Sequence, residues 1–228
     1  MFDICTHDLS ELFWKRLLRL SAWNVEAAVS AALPDGDAAE LDRDDMTYKT
    51  GSIPLATAVW LTLLAQHLKP KRAYEVGTFI GKSTRALAYG MAGGQIWTCD
   101  ASNPAPESLE SESHESETII NLHPMTTSTQ MFAAMDAEVS KGDLFFFDGR
   151  IMPDDLPHIA RLSHERTVYA FDDFEGCEKG VANASMLGRR DMRLIYPPAP
   201  ELLAPLGVLD RSTLALLVPT AMFRMTAQ

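Results

Sequence analysis

Cysteine is scarce: Cys5, Cys99 and Cys177 are the only three in 228 residues. Their odd number and wide spacing argue against a disulfide framework, and no C-x-x-C pair is present to ligate zinc. Basic charge is also short. Lys and Arg total 20 against 31 Asp and Glu, a net charge of -11. Such a chain offers no basic stripe to neutralise duplex phosphates, so nucleic acid is not an expected partner. A small anionic ligand needs only local donors and is still allowed. No apolar run approaches the ~18–20 residues of a membrane span, so no membrane partner is expected. No basic region followed by an apolar run opens the chain, so no secretory signal is expected and the setting reads as reducing and cytoplasmic. The remainder is of ordinary globular type, 46% hydrophobic and 22% charged, enough for a sizeable core.

Residues 8–32 are predicted helical, because Leu9, Leu12, Phe13, Leu17 and Leu20 recur on one face. The acidic run 34–45 reads as a solvated connector. A second helix starts near Pro54 and ends near Leu68, where Pro70 stops it. Strands and helices then alternate. Strands are predicted at 72–76, 95–99, 119–123, 143–148, 167–173, 192–196 and 213–218, and helices at 82–91, 130–139, 154–162 and 178–187. Alternation of this kind implies an α/β protein with a parallel sheet covered on both faces. Ligands of such sheets sit at the carboxyl ends of the strands. The polar, low-complexity segment Glu107 to Thr118 reads as a surface loop, or alternatively as a lid over a nearby ligand.

The stretch YEVGTFIGKST, Tyr74 to Thr84, supports two readings. A phosphate-cradling loop of the P-loop type needs four residues between its first glycine and Gly-Lys-Ser/Thr, and here three separate Gly77 from Gly81. The strand ending at Asp148 resembles the magnesium-binding strand of a nucleotide hydrolase or kinase, which keeps that alternative open. The other reading is a glycine turn that lets the backbone approach a nucleoside ligand, followed by free amides at a helix start. Asp100 ends the next strand at the spacing of a ribose-binding acid. The G-x-G-x-x-G of dinucleotide enzymes is absent because residue 79 is Phe.

Asp148, Asp172 and Asp173 end the fourth and fifth predicted strands. If those strands are neighbours, their carboxylates converge and repel unless a cation sits among them. Oxygen ligands favour magnesium or calcium. Arg150 is a competing partner for Asp148. Candidate bases are His158, Glu175 and Lys179. Phe79, Phe147 and Phe174 are candidates to shape a substrate site.

YEVGTFIGKSTRALA, GGQIWTCDAS, DLFFFDGR and VYAFDDFEGCEKGV together resemble the class I S-adenosylmethionine-dependent O-methyltransferases. The likeness is to the small-molecule branch that includes catechol O-methyltransferase-like and macrocin O-methyltransferase-like enzymes. It runs from about Tyr48 to Val218. It implies a Rossmann-like, seven-stranded, mostly parallel sheet in a domain of residues 46–228, preceded by a helical appendage, 1–45. It implies an enzyme that methylates a hydroxyl of a small molecule, with S-adenosylmethionine and a divalent metal, magnesium, as cofactors, and a homo-oligomer. Glu75, Gly77 and Thr78 would lie near the methionine portion, with Gly81 and Ser83 lining the turn. Asp100 would hold the ribose, Ser128 and Gln130 the adenine, and Tyr48 would close over the cofactor. Asp148, Asp172 and Asp173 would bind the metal, and Asp148, Asp173, Glu175 and His158 are the catalytic candidates, with Asp148 also beside the cofactor. Two positions depart from the pattern: Gly149–Arg150 stands where relatives carry a second acid or His, and Ile151 where catechol-type enzymes carry a lysine base. The alternatives are the P-loop enzyme and a non-catalytic, adenosyl-ligand-binding member of the fold.

Overall fold

The computed structural model describes residues 3–4, 6–20, 53–91, 93–103, 109, 117–137 and 141–222. The acidic connector, Tyr48 and most of the segment 107–118 lie outside these, as does the first predicted helix beyond residue 20. The helices are α1 (His7–Leu20), α2 (Leu55–Leu68), α3 (Lys82–Met91), α4 (Ser128–Ala137), α5 (Leu156–Leu162) and α6 (Lys179–Leu187). The strands are β1 (Asp3–Ile4), β2 (Arg72–Val76), β3 (Gly94–Asp100), β4 (Thr118–Pro124), β5 (Leu144–Phe147), β6 (Val168–Phe171), β7 (Met192–Ile195) and β8 (Ala215–Pro219).

One sheet runs in the order β1-β7-β8-β6-β5-β2-β3-β4. β8 is antiparallel to both β6 and β7; the other pairings are parallel. The seven expected strands are all present. β1 is an addition: two residues paired with Arg193 and Leu194 of β7. From β2 the chain builds outward through β3 and β4, then returns to the other side of β2 with β5. The switch in strand order therefore falls between β2 and β5, where Val76 pairs with Phe147.

Alternation along the strands divides the interior into two layers. Phe146, Val168, Ala170 and Leu216 face one side, packed with Trp60 and Leu64 of α2, Leu87 of α3, and Trp14 and Leu17 of α1. Phe145, Phe147, Tyr169, Phe171 and Leu217 face the other, with Met131 and Phe132 of α4 and Ile159 of α5. Aromatic rings carry the second layer: Tyr74 and Phe145 lie 4.9 Å apart, and Phe147 and Phe171 stack at 5.7 Å. α2 is apolar nearly all round and buried from Ala56 to Ala65, as suits a helix sandwiched between the sheet and other helices. Its end is set where Lys69 turns left-handed and its N–H returns to the Ala65 carbonyl, just before Pro70. No described helix is long and apolar enough to cross a membrane.

Candidate active site

At the switch point the chain leaves β2 through Gly77. Its φ of 106° suits glycine, and a Cβ there would lie 3.0 Å from the Gly149 nitrogen and 3.3 Å from the Asp148 Cβ. The tips of β2 and β5 are drawn together by the Val76 carbonyl, which accepts the N–H groups of Asp148 (3.0 Å) and Gly149 (2.7 Å). The loop between β2 and α3 is braced on β3, where the Cys99 carbonyl accepts the Gly77 N–H at 2.9 Å and the Thr78 hydroxyl meets that of Thr98 at 2.6 Å.

Beside this junction opens a cavity of about 740 Å³. Gly77, Asp100, Ser128, Asp148, Arg150 and Lys179 line it, with Phe79, Asn103, Thr126, Thr127 and Met152 completing much of the wall. Its size is in the range of small-molecule and cofactor sites. A water-sized cleft of about 10 Å³ on the other side of Gly77 is lined by Ile53, Thr78, Ser83 and Asp148. Asp100 stands at one end of the large cavity. Its Oδ2 accepts the Phe79 N–H (2.9 Å) and its Oδ1 those of Ser102 (2.8 Å) and Asn103 (2.9 Å). Phe79 reaches it by taking a left-handed φ of 43°, and Asp173 at the far end holds 50°, both uncommon for residues with side chains.

Glu75 is fully buried behind the loop. Its Oε2 accepts the Thr84 hydroxyl at 2.5 Å, while its Oε1 has no hydrogen-bond partner among the described residues. Burial pushes this carboxyl up to about 7; hydrogen bonds from Ser83, Thr84 and Thr98 pull it down, and the charge of Asp148 adds to the rise. Of the segment proposed to meet adenine, Thr127 and Ser128 line the cavity. Gln130 turns back to cap α4, its Oε1 accepting the Thr127 N–H at 3.0 Å. Ser128 donates to Asp155, a fully buried carboxylate that also accepts the Met152 N–H, both at 2.8 Å. Leu109 is fully buried and fills the space a side chain at position 81 would need.

Asp148, Asp172 and Asp173 meet at the other end, each offering an oxygen within 4.8 Å of the others. A cationic side chain stands among them. Lys179 Nζ lies 2.7 Å from Asp148 Oδ1 and 3.1 Å from Asp173 Oδ2. Burial pushes the Asp148 carboxyl up while the Lys179 charge and hydrogen bond oppose it. Lys179 is itself lowered by burial, but the two carboxylates outweigh that and hold it above its ordinary value. Asp172 is the deepest of the three. Burial and then the Asp148 charge push it up to about 7, and its Oδ1 accepts the hydroxyls of Thr213 (2.8 Å) and Thr57 (3.5 Å).

Other candidates lie elsewhere. Arg150 is exposed at the cavity wall, and among the described residues the ion pair of Asp148 is with Lys179. Glu175 is exposed, 3.9 Å from Arg211. His158 sits on α5 beside Arg161, at 3.3 Å, away from the residues lining the cavity. Phe79 lines the cavity, Phe147 is buried in the aromatic layer, and Phe174 packs edge-on against Tyr196 at 6.1 Å.

No protein-family model and no curated protein matches the sequence. Solved structures do. The O-methyltransferase TomG of Streptomyces achromogenes, involved in tomaymycin synthesis and solved with S-adenosylmethionine, matches with a TM-score of 0.57 and 19% identity over 89% of this chain and 95% of that one. A methyltransferase of Geobacter sulfurreducens matches at 0.58 and 15% identity, over 82% and 90%. The O-methyltransferase of Bacillus cereus, solved with S-adenosylhomocysteine, matches at 0.55 and 16% identity, over 84% and 90%. The chain has the methyltransferase fold. Within that fold three site features were hidden in the sequence. Asp155 reads as a helix-start acid in Pro-Asp-Asp, and nothing local marks it as the tie between α4 and the wall at Met152. Ser102 and Asn103 follow Asp100 directly, a pattern that signals a side chain capping its own turn. Thr57 and Thr213 reach Asp172, and Ser212 reaches Thr57, only through the fold.

Proposed function

We propose that the chain is an S-adenosylmethionine-dependent O-methyltransferase acting on a hydroxyl of a small molecule. The observation that carries the reading is the cavity at the strand-order switch, lined by Gly77, Asp100 and the Asp148–Lys179 pair. The residues fit an adenosyl cofactor on two counts. Gly77 lines the cavity with bare backbone, and a side chain there would press on Asp148 and Gly149 and disturb the wall. Glu75 Oε1 is buried without a partner two residues earlier, an acceptor that a cationic amine would satisfy.

On this reading Asp100 holds the ribose hydroxyls with the lone pairs its loop amides leave over. Thr127 and Ser128 flank the base, ordered from behind by Asp155 and by the Gln130 cap. Glu75, Gly77, Thr78, Gly81 and Ser83 surround the methionine end. When bound, S-adenosylmethionine supplies an electrophilic methyl carbon: the acceptor oxygen forms the C–O bond, the C–S bond breaks with its electron pair left on sulfur, and the hydroxyl proton leaves to a base. The chain's share is to hold the acceptor in line and exclude water, which captures the advantage of proximity.

Magnesium fits less well. The three carboxylates are the right ligand type, but Lys179 already lies within hydrogen-bond distance of two of them. No step is assigned to a metal.

Thermal unfolding with S-adenosylhomocysteine, ATP and NAD, each with and without magnesium, tests the reading. A ligand selective for the native state at 100 times its Kd stabilises by about 2.7 kcal/mol, an upward shift of several degrees. S-adenosylhomocysteine is expected to give that shift and ATP none. A shift from ATP alone, lost in Lys82→Ala, would hand the site to the P-loop alternative.

A further inference from the structure

Carboxylates gathered at two neighbouring strand ends invite a divalent cation, yet the position a cation would take is occupied by the protein itself. We infer that the Lys179 ammonium replaces a metal at this site: it neutralises Asp148 and Asp173 and presents its remaining N–H to the acceptor oxygen, so that the site works without a divalent ion. The part concerning the acceptor rests on the methyltransferase reading above; the exclusion of metal does not.

Three independent observations lead here. An ammonium has three donors. Two are directed at Asp148 Oδ1 and Asp173 Oδ2, at 2.7 and 3.1 Å, and Lys179 also lines the large cavity, where the third has no partner among the described residues. A metal on the same two oxygens would bind them at about 2.1 Å and so meet the ammonium at close range, with repulsion between like charges.

The backbone that carries Lys179 is also held in place. It opens α6, and the next residue, Gly180, packs so tightly that an added Cβ would lie 2.1 Å from the Asp172 carbonyl oxygen. Farther along the helix, Asn183 donates to the Gly149 carbonyl (2.8 Å) and accepts the Ile151 N–H (3.0 Å). The helix carrying the lysine is thus fastened to the strand end carrying Asp148. The ammonium is therefore delivered to Asp148 from a fixed backbone position, held there by its two carboxylate contacts.

Thirdly, Asp172 makes no demand for a metal. It accepts from the hydroxyls of Thr213 and Thr57, and its own neighbour Ser212 is hydrogen-bonded to Thr57 at 2.9 Å. The cation therefore has two carboxylates to balance, and one lysine serves both. In the transfer itself the acceptor's O–H bond breaks, the electron pair stays on oxygen to form the new C–O bond, and the proton passes to the carboxylate of Asp173, the more exposed of the two.

The test uses the full chain and Mn²⁺ as the metal probe, read by the paramagnetic resonance of the free ion, with no cofactor or acceptor present. The wild type is expected to take up no Mn²⁺ across the micromolar range. Lys179→Met bares the carboxylates and should gain affinity on the order of 100-fold, since carboxylate charge uncompensated by protein sets the affinity of oxygen sites. Adding Asp148→Asn to that variant should remove the gain, and Lys179→Arg, which keeps a cation, should exclude Mn²⁺ as the wild type does. Micromolar uptake by the wild type that Asp148→Asn abolishes would overturn the inference. A folded Lys179→Met that gains nothing would do the same. If Lys179→Met does not fold, the wild-type and Lys179→Arg titrations decide. Calorimetry with S-adenosylhomocysteine in EDTA separates the two readings: failure to bind sinks the methyltransferase proposal while the Mn²⁺ result still judges the lysine.

Discussion

Glu75 shows how much a single buried carboxyl governs. Its pKa rises from 4.5 to about 7, chiefly through burial. The folded state therefore holds the proton more tightly than the unfolded chain. Its favourable contribution is fully present below pH 4.5 and is lost as the pH climbs through 7, about 3 kcal/mol in all. Glu75→Gln carries no such charge. Its urea-unfolding free energy should fall less between pH 5 and pH 8 than that of the wild type, by about 3 kcal/mol. Parallel pH profiles for the two proteins would show that Glu75 does not titrate in this window. Much at this scale was legible before the structure. Asp100, Gly77 and Ser128 were expected around one ligand, and all three line the cavity: Gly77 and Asp100 stand at strand ends, and Ser128 opens the helix after β4. The counter-charge of Asp148 was not legible. Arg150 was the natural candidate two positions away, but the chain turns there, and the cation arrives from α6 instead. A pairing made by tertiary approach has no local spacing to betray it.

At the scale of elements, α6 and the loop it anchors deserve separate tests of their glycines. Gly180→Ala would drive a methyl into the Asp172 carbonyl, a backbone atom that cannot step aside. A loss of about 3 kcal/mol or more in unfolding free energy is expected, the upper range for overpacking. Gly176→Ala is the control: its φ is 54° but nothing lies within 4 Å of an added Cβ, so the cost should stay near 1 kcal/mol. Equal losses in the two variants would mean that backbone conformation, and not the helix contact, sets the cost. Element boundaries were readable where punctuation was strong. Arg72–Val76 and Lys82–Met91 match the sequence expectation at both ends, framed by Pro70, the Gly77–Gly81 turn and Gly93. β1 was not readable, because two residues carry no periodicity and become a strand only through β7. The polar run 107–118 hid Leu109, a lone apolar residue that the fold buries against the glycine turn.

Across the whole molecule, α1 belongs to the same interior as the sheet. Trp14 is fully buried, packs 5.0 Å from Trp60, and donates its indole N–H to the Tyr196 carbonyl at 2.6 Å. Trp14→Ala should lower stability by about 3–5 kcal/mol. Circular dichroism and the fluorescence of the remaining tryptophans should still report one coincident transition, as for a single cooperative unit. Two separated transitions would mean that α1 and its neighbours unfold apart from the sheet.

β8 has a further consequence for how the chain is made. It is the last of the described strands, yet it sits inside the sheet and bonds β6 on one side and β7 on the other. While Ala215–Pro219 is still within the ribosome, β6 ends in an open edge, and β7 with β1 has nothing linking it to the rest of the sheet. The nascent protein must wait, with apolar surface uncovered, for a five-residue plug to emerge and seal the gap. Closure of the sheet therefore waits on a strand made after all its neighbours, however early the glycine turn and its first two strands have formed.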